Sequence, residues 1–475
     1  MAISSVRQGT VSGELQDLAF ALLARDRIPV DALKSRRTAL TQKSSILSTL
    51  KTRLTSLRLE LDSLAQIGTL SPFSAKAAAA SDTNVLTASA SASAANAALS
   101  ITVSQLAKRA THVSDRFTDT GTVISDGGTG TFNFTITIGG TAFATSVAIG
   151  AGETDKTVLD NIVTAINTAV GSKGSAVRIS PQTGQSRLSV SSADTGTANK
   201  ITFTDTDGLL TRIGLAKATP TAATAITGGY VFEDLGNNEL NATLVVDGLT
   251  YFRDSNTVTD LITGVTLNLK ATSATAVTVK IQPDADKALE KLKSFITKYN
   301  EAIDYVNQQT AVDAKAGVRG ALVGDTTFSR LRVELRMKAA TIVSSQAAGT
   351  PNSLGALGIR QAADGKLSIS DETKLRDTFV ANPAAVQSLF NAADGVAKTL
   401  KTYVEGFTSS GGTIVASQSG ITTRTTGLSG QITRMEATLA KKQRALEQQL
   451  ARQQALLNNL SRQQSQIQSF FALGF

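Results

Sequence analysis

At 475 residues the chain exceeds one ordinary core, so about two to four domains are expected. Hydrophobic residues make up 41%, enough for buried cores, and a mean hydropathy of +0.02 points away from both a disordered chain and a membrane protein. There is no Cys, no Trp and a single His, which excludes disulfides and thiolate chemistry and leaves a Ser-His-Asp triad or a two-His metal site with almost nothing to draw on. Carboxylate-pair chemistry stays open to its 38 acidic residues, but none forms a recognisable catalytic signature, so no catalytic, metal or cofactor site is expected and the chain reads as a non-enzyme. His112, in Lys108-Arg109-Ala110-Thr111-His112 just after a strand-like run, reads as an exposed or half-buried loop residue.

The net charge of +9 is uneven. Residues 1–70 hold ten Lys/Arg against six Asp/Glu, residues 421–475 hold seven against two, and the middle is neutral. The basic stretches are helical in pattern and almost free of aromatics, so solvated helix faces are expected rather than a nucleic-acid groove. The apolar run Leu18 to Ala24 is too short to span a bilayer. It follows Glu14 and Asp17 instead of a basic segment, so neither membrane insertion nor a cleaved signal peptide is expected.

The first element is a long helix. From Leu33 a seven-residue step runs through Leu40, Leu47, Leu54 and Leu61, with Leu50, Leu57 and Leu64 completing one apolar seam. Pro29 just before it fits a helix break or start. From about Ser71 the chain turns rich in Thr, Ser, Ala, Val and Gly. Leu99, Ile101 and Val103 alternate with polar residues, as do Phe132, Phe134, Ile136 and Ile138 up to the turn signal Gly139-Gly140. Between Thr154 and Val170 the residues Val158, Leu159, Ile162, Val163 and Ile166 form a helical stripe. Strand patterns return at Val177–Ile179, Leu188–Val190 and Ile201–Phe203, and the loose stretch Thr219–Thr227 closes an α+β unit. Gly150-Ala151-Gly152 lacks the third glycine of a dinucleotide fingerprint and reads as a loop.

A second β segment, 240–282, is expected to pair with strands near 85–106, which makes 119–228 an insertion. Beyond Pro283, helical stripes run through Leu289, Leu292, Ile296, Tyr299 and Ile303. Others follow Asp325 (a plausible N-cap) and run through Leu375 and Phe379, Leu389 and Phe390, and Leu400 to Phe407. The C-terminal seam passes through Leu428, Ile432, Met435, Leu439 and Leu446. It continues in a shifted phase through Leu450, Leu457 and Leu460, with Gln453 and Gln464 on or near it.

The expected fold is thus α+β and multidomain: a helical bundle or coiled coil from both chain ends, with β-rich head domains between them. The segments are 1–40 and 421–475 (terminal coiled coil), 41–75 and 284–420 (helical bundle), 76–118 and 229–283 (inner β head), and 119–228 (inserted outer head). The candidate assembly interface is Leu47, Leu50, Leu54, Leu57, Leu61, Leu64, Leu439, Leu446, Leu450, Leu457, Leu460 and Ile467. Leu47, Leu54 and Leu61 are expected to face Leu446, Leu450 and Leu457, in the same chain or in a neighbouring copy, because copies of the chain are the simplest partner for such seams.

Several short stretches carry a resemblance, in chain order. They are Leu22-Leu23 with Arg27-Ile28-Pro29, Ser71-Pro72-Phe73, Gly130 to Gly140, Thr157 to Asn167, Arg187-Leu188 and Thr195-Gly196. The strongest is Asp247-Gly248, Arg253, Asn256-Thr257, Asp260-Leu261-Ile262, Gly264-Val265-Thr266-Leu267 and Leu269-Lys270. Phe295, Tyr299-Asn300, Gly324-Asp325, Leu357-Gly358-Ile359 and Asp364-Gly365-Lys366-Leu367 follow. Over nearly the whole chain this resembles the flagellar hook-associated protein 2 family, the bacterial filament cap. Val11-Ser12-Gly13-Glu14-Leu15 matches the family's N-terminal run only in part. The resemblance implies a homo-oligomeric ring at the distal filament end that promotes flagellin insertion and prevents its loss. It also implies contacts with flagellin and the hook-filament junction proteins, and an export chaperone bound through the C-terminal region. The location implied is extracellular, on the flagellum, after passage through the flagellar type III system. A flagellum-borne adhesin or other axial binding module, with host surface ligands for its head, is the alternative.

Overall fold

The computed structural model describes residues 13–313 and 318–472, apart from the side chains of 13–20, 313, 318, 457 and 468–472. Helix α1 (Gly13–Leu64) is continuous through Pro29. Neither the break nor the start that Pro29 suggested occurs there. Proline removes only its own N–H and crowds the carbonyl four residues earlier, and Pro29 lies on an exposed stretch where water can satisfy that carbonyl.

Strands β1 (Lys76–Ala80), β2 (Leu86–Ala90), β3 (Ala97–Gln105), β4 (Arg109–Val113) and β5 (Phe117–Thr118) follow. Next come α2 (Val123–Asp126), β6 (Gly130–Ile138), β7 (Thr141–Ile149), α3 (Asp155–Val170), β8 (Gly174–Gln182), β9 (Gln185–Thr195), β10 (Ile201–Asp205) and α4 (Leu209–Arg212). Strands β11 (Gly229–Phe232), β12 (Ala242–Val246), β13 (Leu249–Arg253), β14 (Thr257–Ile262), β15 (Val265–Leu269) and β16 (Val277–Pro283) return the chain to helices. These are α5 (Ala285–Thr310), α6 (Thr326–Ala339), α7 (Glu372–Ala381), α8 (Pro383–Asn391), α9 (Val396–Thr408) and α10 (Thr413–Ala472).

The chain divides into two compact units: the helical one, up to Ile67 and from Ala288 onward, and the β-rich one, Gly68–Lys287. Within the β-rich unit, one module is built from the sheets β1-β16-β3-β12-β13 and β14-β15-β2. The strands expected to pair do so: β3 lies between β12 and β16, and β2 pairs with β15. The apolar alternation of β3 places Ile101 and Val103 in this module's core with Leu244, Leu267 and Val279. The β12–β13 turn needs left-handed backbone at two successive residues, and Asp247 (φ 48°) with Gly248 (φ 91°) supplies it. The Asp247 carboxylate also accepts from the Ser100 N–H at 2.9 Å.

The second module packs α3 against the sheets β10-β6-β7 and β11-β4-β9-β5, with β8 beside β9. Thr154 caps α3 by accepting from the Thr157 N–H. Its apolar stripe, Val158, Leu159, Ile162 and Ile166, is fully buried with Phe134 and Ile136. Gly150 to Gly152 form part of the turn between β7 and α3. The module's sheet reaches beyond 119–228 on both sides, because β4 pairs with β9 and β11. His112 therefore corrects its sequence reading. It is not a loop residue: it lies within β4, only 6% exposed. The two modules meet where Gly196 (φ 93°) passes Asp254, and a Cβ there would fall 2.3 Å from the Asp254 Cβ.

Candidate assembly surface

Helices α1 and α10 run antiparallel. Lys34 pairs with Glu436 at 2.6 Å, Asp26 with Lys442 at 2.8 Å, and Gln418 donates to the Ser44 carbonyl at 3.5 Å. Numbers fall along α1 as they rise along α10, so Leu446 and Leu450 belong beside the residues that precede Asp26. Within one chain, then, Leu47, Leu54 and Leu61 do not meet Leu446 and Leu450 as expected; the register separates them by several turns.

The first six seam residues find other partners. Leu47, Leu50, Leu54, Leu57, Leu61 and Leu64 are each fully buried, with α1 packed on α8, α9 and α10. Complete burial of a leucine contributes about 1.5–3 kcal/mol, so this seam is consumed in the chain's own bundle. Polar contacts flank it. Lys401 meets Asp62 at 2.5 Å, Tyr305 donates to the Ile46 carbonyl at 3.3 Å, and the Arg53 guanidinium lies 5.0 Å from the Tyr305 ring centroid.

Burial fades along α10. Ile414, Ile421 and Ile432 are buried, Leu428, Met435, Leu439, Leu446 and Leu450 half-buried, and Leu460 and Ile467 are 52% and 57% exposed. Leu456 is exposed as well, as are Gln453 and Gln464. The Leu457 side chain lies outside the described residues. Polar pairing accompanies the thinning core. The Lys34 hydrogen bond holds the Glu436 carboxyl below its ordinary range, aided by the fields of Arg37 and Arg27.

Between the two helices a notch of about 390 Å³ is lined by Leu33, Arg36, Leu40, Arg424, Gly427 and Leu428. Gly427 opens it, since a Cβ there would have no neighbour within 4 Å. Sequence reasoning missed Val30, Ile414 and Ile421 as seam residues. Stepping back by seven from Leu428 reaches Ile421 and then Ile414, so the signal was present.

Among the described residues, no helix is long and apolar enough to cross a membrane and no three His, Asp or Glu side chains could together hold a metal ion.

Comparison with known proteins adds the family. Residues 14–110 match "Flagellar hook-associated protein 2 N-terminus" and residues 240–462 match "Flagellar hook-associated protein 2 C-terminus". The B-type flagellar hook-associated protein 2 of Pseudomonas aeruginosa is 29% identical over 432 residues, covering 88% of this chain and 84% of that one. The flagellar hook-associated protein 2 of Escherichia coli is 27% identical over 436 residues, covering 88% and 87%. Among solved structures, three domains of the flagellar cap protein FliD from Escherichia coli align with a TM-score of 0.57 at 27% identity, covering 79% of this chain and 99% of that one. Two terminal matches that together span two thirds of the chain, joined by relatives aligned over most of its length, lead to one conclusion: the chain belongs to the flagellar hook-associated protein 2 family.

Proposed function

We propose that this chain caps the distal end of a bacterial flagellar filament as a ring of identical copies, promoting flagellin insertion and preventing flagellin loss. Its family is one of structural flagellar proteins, and its solved relative is a cap protein. The observation that supports the ring is the contrast along α10. The helix begins inside a finished bundle and continues for several turns with Leu446 and Leu450 half-covered and Leu460 and Ile467 exposed. An amphipathic helix left open in this way gains by docking on copies of itself.

Within this reading, Leu439, Leu446, Leu450, Leu457, Leu460 and Ile467 form the contact between subunits, while Leu47 to Leu64 hold the subunit together. The C-terminal region also serves the export chaperone before the chain leaves through the flagellar type III channel. At the tip the ring contacts flagellin, and at the start of growth it contacts the hook-filament junction proteins. The relatives described above are named for hook association and capping, so an adhesive role for the β-rich unit gains no support from them.

Replacing Leu446 and Leu450 together with Asp tests the reading. The expected result is a folded monomer in light scattering and loss of swimming in soft agar. Unchanged oligomer mass, or normal motility with that variant as the only copy, overturns it.

A further inference from the structure

The single histidine has no part in the capping surface, yet it lines a cavity. Strand β4 carries His112 opposite Tyr230 of β11, and the imidazole packs edge-on against Phe203 of β10, ring centroids 5.1 Å apart. These residues and Glu233, just beyond β11, line a cavity of about 210 Å³ that Lys217 also borders. The His112 Nε2 is buried without a hydrogen-bond partner, and the Glu233 Oε2 lies 3.3 Å from it, outside hydrogen-bonding geometry.

The chemistry of the pair is one-sided. Burial pushes His112 down to about 4, so at neutral pH the imidazole is uncharged. Burial also pushes the Glu233 carboxyl up, while the field of Lys200 draws it back. Among the described residues, no lysine or arginine lies within ion-pairing distance of Glu233. A carboxylate that is only 13% exposed and has no lysine or arginine in direct contact carries a desolvation cost that the field of Lys200 offsets in part, and a donor bearing positive charge would offset the rest. Aromatic walls add to the attraction for a cation.

We propose that this cavity binds a primary ammonium group that donates to the Glu233 carboxylate, with His112, Phe203 and Tyr230 against its carbon stem. The ammonium belongs to a free small amine or to a lysine side chain of another protein; the recognition chemistry is the same. The site is independent of the capping reading.

Because His112 is the chain's only histidine, its imidazole resonance in the histidine-labelled full-length protein reports on this site alone. At pH 7, n-butylammonium should shift that resonance saturably, whereas n-butanol and n-butyrate should not. Glu233→Gln, which keeps the shape and removes the charge, should weaken n-butylammonium by about tenfold or more while leaving amide signals elsewhere unchanged. If Nα-acetyl-lysine amide binds as well, a lysine side chain is an accessible source; if only n-butylammonium binds, the source is a free amine. The proposal is overturned by no saturable shift, by equal shifts from the three butyl probes, or by full binding to Glu233→Gln.

Discussion

The two leucine seams at the ends of the chain are nearly equal as sequence patterns and opposite as structures. Leu47 to Leu64 vanish completely inside the bundle, while the seam of α10 goes from half-buried at Leu446 to exposed at Ile467. A heptad states that a face will be covered and is silent on what covers it. The cover of the first seam lies hundreds of residues away in α8, α9 and α10, and the far end of the second is left open within the chain. If the open leucines of α10 are the contact between subunits, as proposed, stability and assembly depend on different leucines, and substitutions should separate the two.

The largest effect is expected at the first seam. Leu54→Asp with Leu57→Asp removes two fully buried side chains and leaves two carboxylates without partners. Lost burial and charge desolvation together cost about 8 kcal/mol or more, comparable with a domain's whole stability. The helical unit should unfold, with most of the helical circular dichroism lost at 25 °C. The same double change at Leu446 and Leu450 should alter monomer stability by less than about 1 kcal/mol, because neither residue is fully buried. If the two pairs of substitutions cost the same, the contrast between the seams is wrong.

The β-rich unit supplies a control that responds to acid rather than to assembly. His112 has a folded pKa of about 4 against an ordinary 6.5, so the unfolded chain binds the extra proton first as pH falls. Its contribution to stability is intact above 6.5, declines as pH drops from there to about 4, and totals roughly 3 kcal/mol. Glu233, raised by burial, works in the opposite direction, with Lys200 opposing that rise. The difference between wild type and His112→Gln isolates the imidazole. Denaturant midpoints should fall more steeply between pH 6.5 and 4.5 for the wild type. Parallel pH profiles for the two would show that His112 is not held neutral in the folded state.

Much of this fold was legible because its signals are local. The stripe of α3 with its Thr154 cap, the alternation of β6, and Asp325 accepting from the Thr327 N–H ahead of α6 each follow from a few neighbouring residues. The failures share a cause in distant partners. Arg109 to Val113 is too short and polar to announce a strand, yet β9 on one side and β11 on the other make it a central one and bury His112. Pro29 read as a break because its local cost of about 3 kcal/mol was weighed without the ion pairs and packing that hold α1 to α10 on both sides of it. Of the candidate interface leucines, the spacing found residues that share a helix face, and missed the division between those buried inside the chain, Leu47 to Leu64, and those left open, Leu460 and Ile467.

The smallest effect probes the border between the seams, at the notch around Gly427. A glycine inside a helix costs about 1 kcal/mol relative to alanine through backbone entropy. Gly427 belongs to a regular helix, and a Cβ there would meet nothing within 4 Å, so neither strain nor a clash opposes the change. Gly427→Ala should therefore raise the stability of the isolated chain by about 0.5–1 kcal/mol, seen as a modest rise in thermal midpoint. Its effect on assembly need not follow. The notch lies where the half-buried leucines Leu33, Leu40 and Leu428 sit beside Arg36 and Arg424, at the transition from the closed bundle to the open part of α10. If a neighbouring copy inserts a side chain there, a more stable monomer should assemble less well, with slower swimming than wild type. A variant that is both more stable and fully motile would confine subunit contact to the open helix beyond Leu439 and leave the notch as packing space.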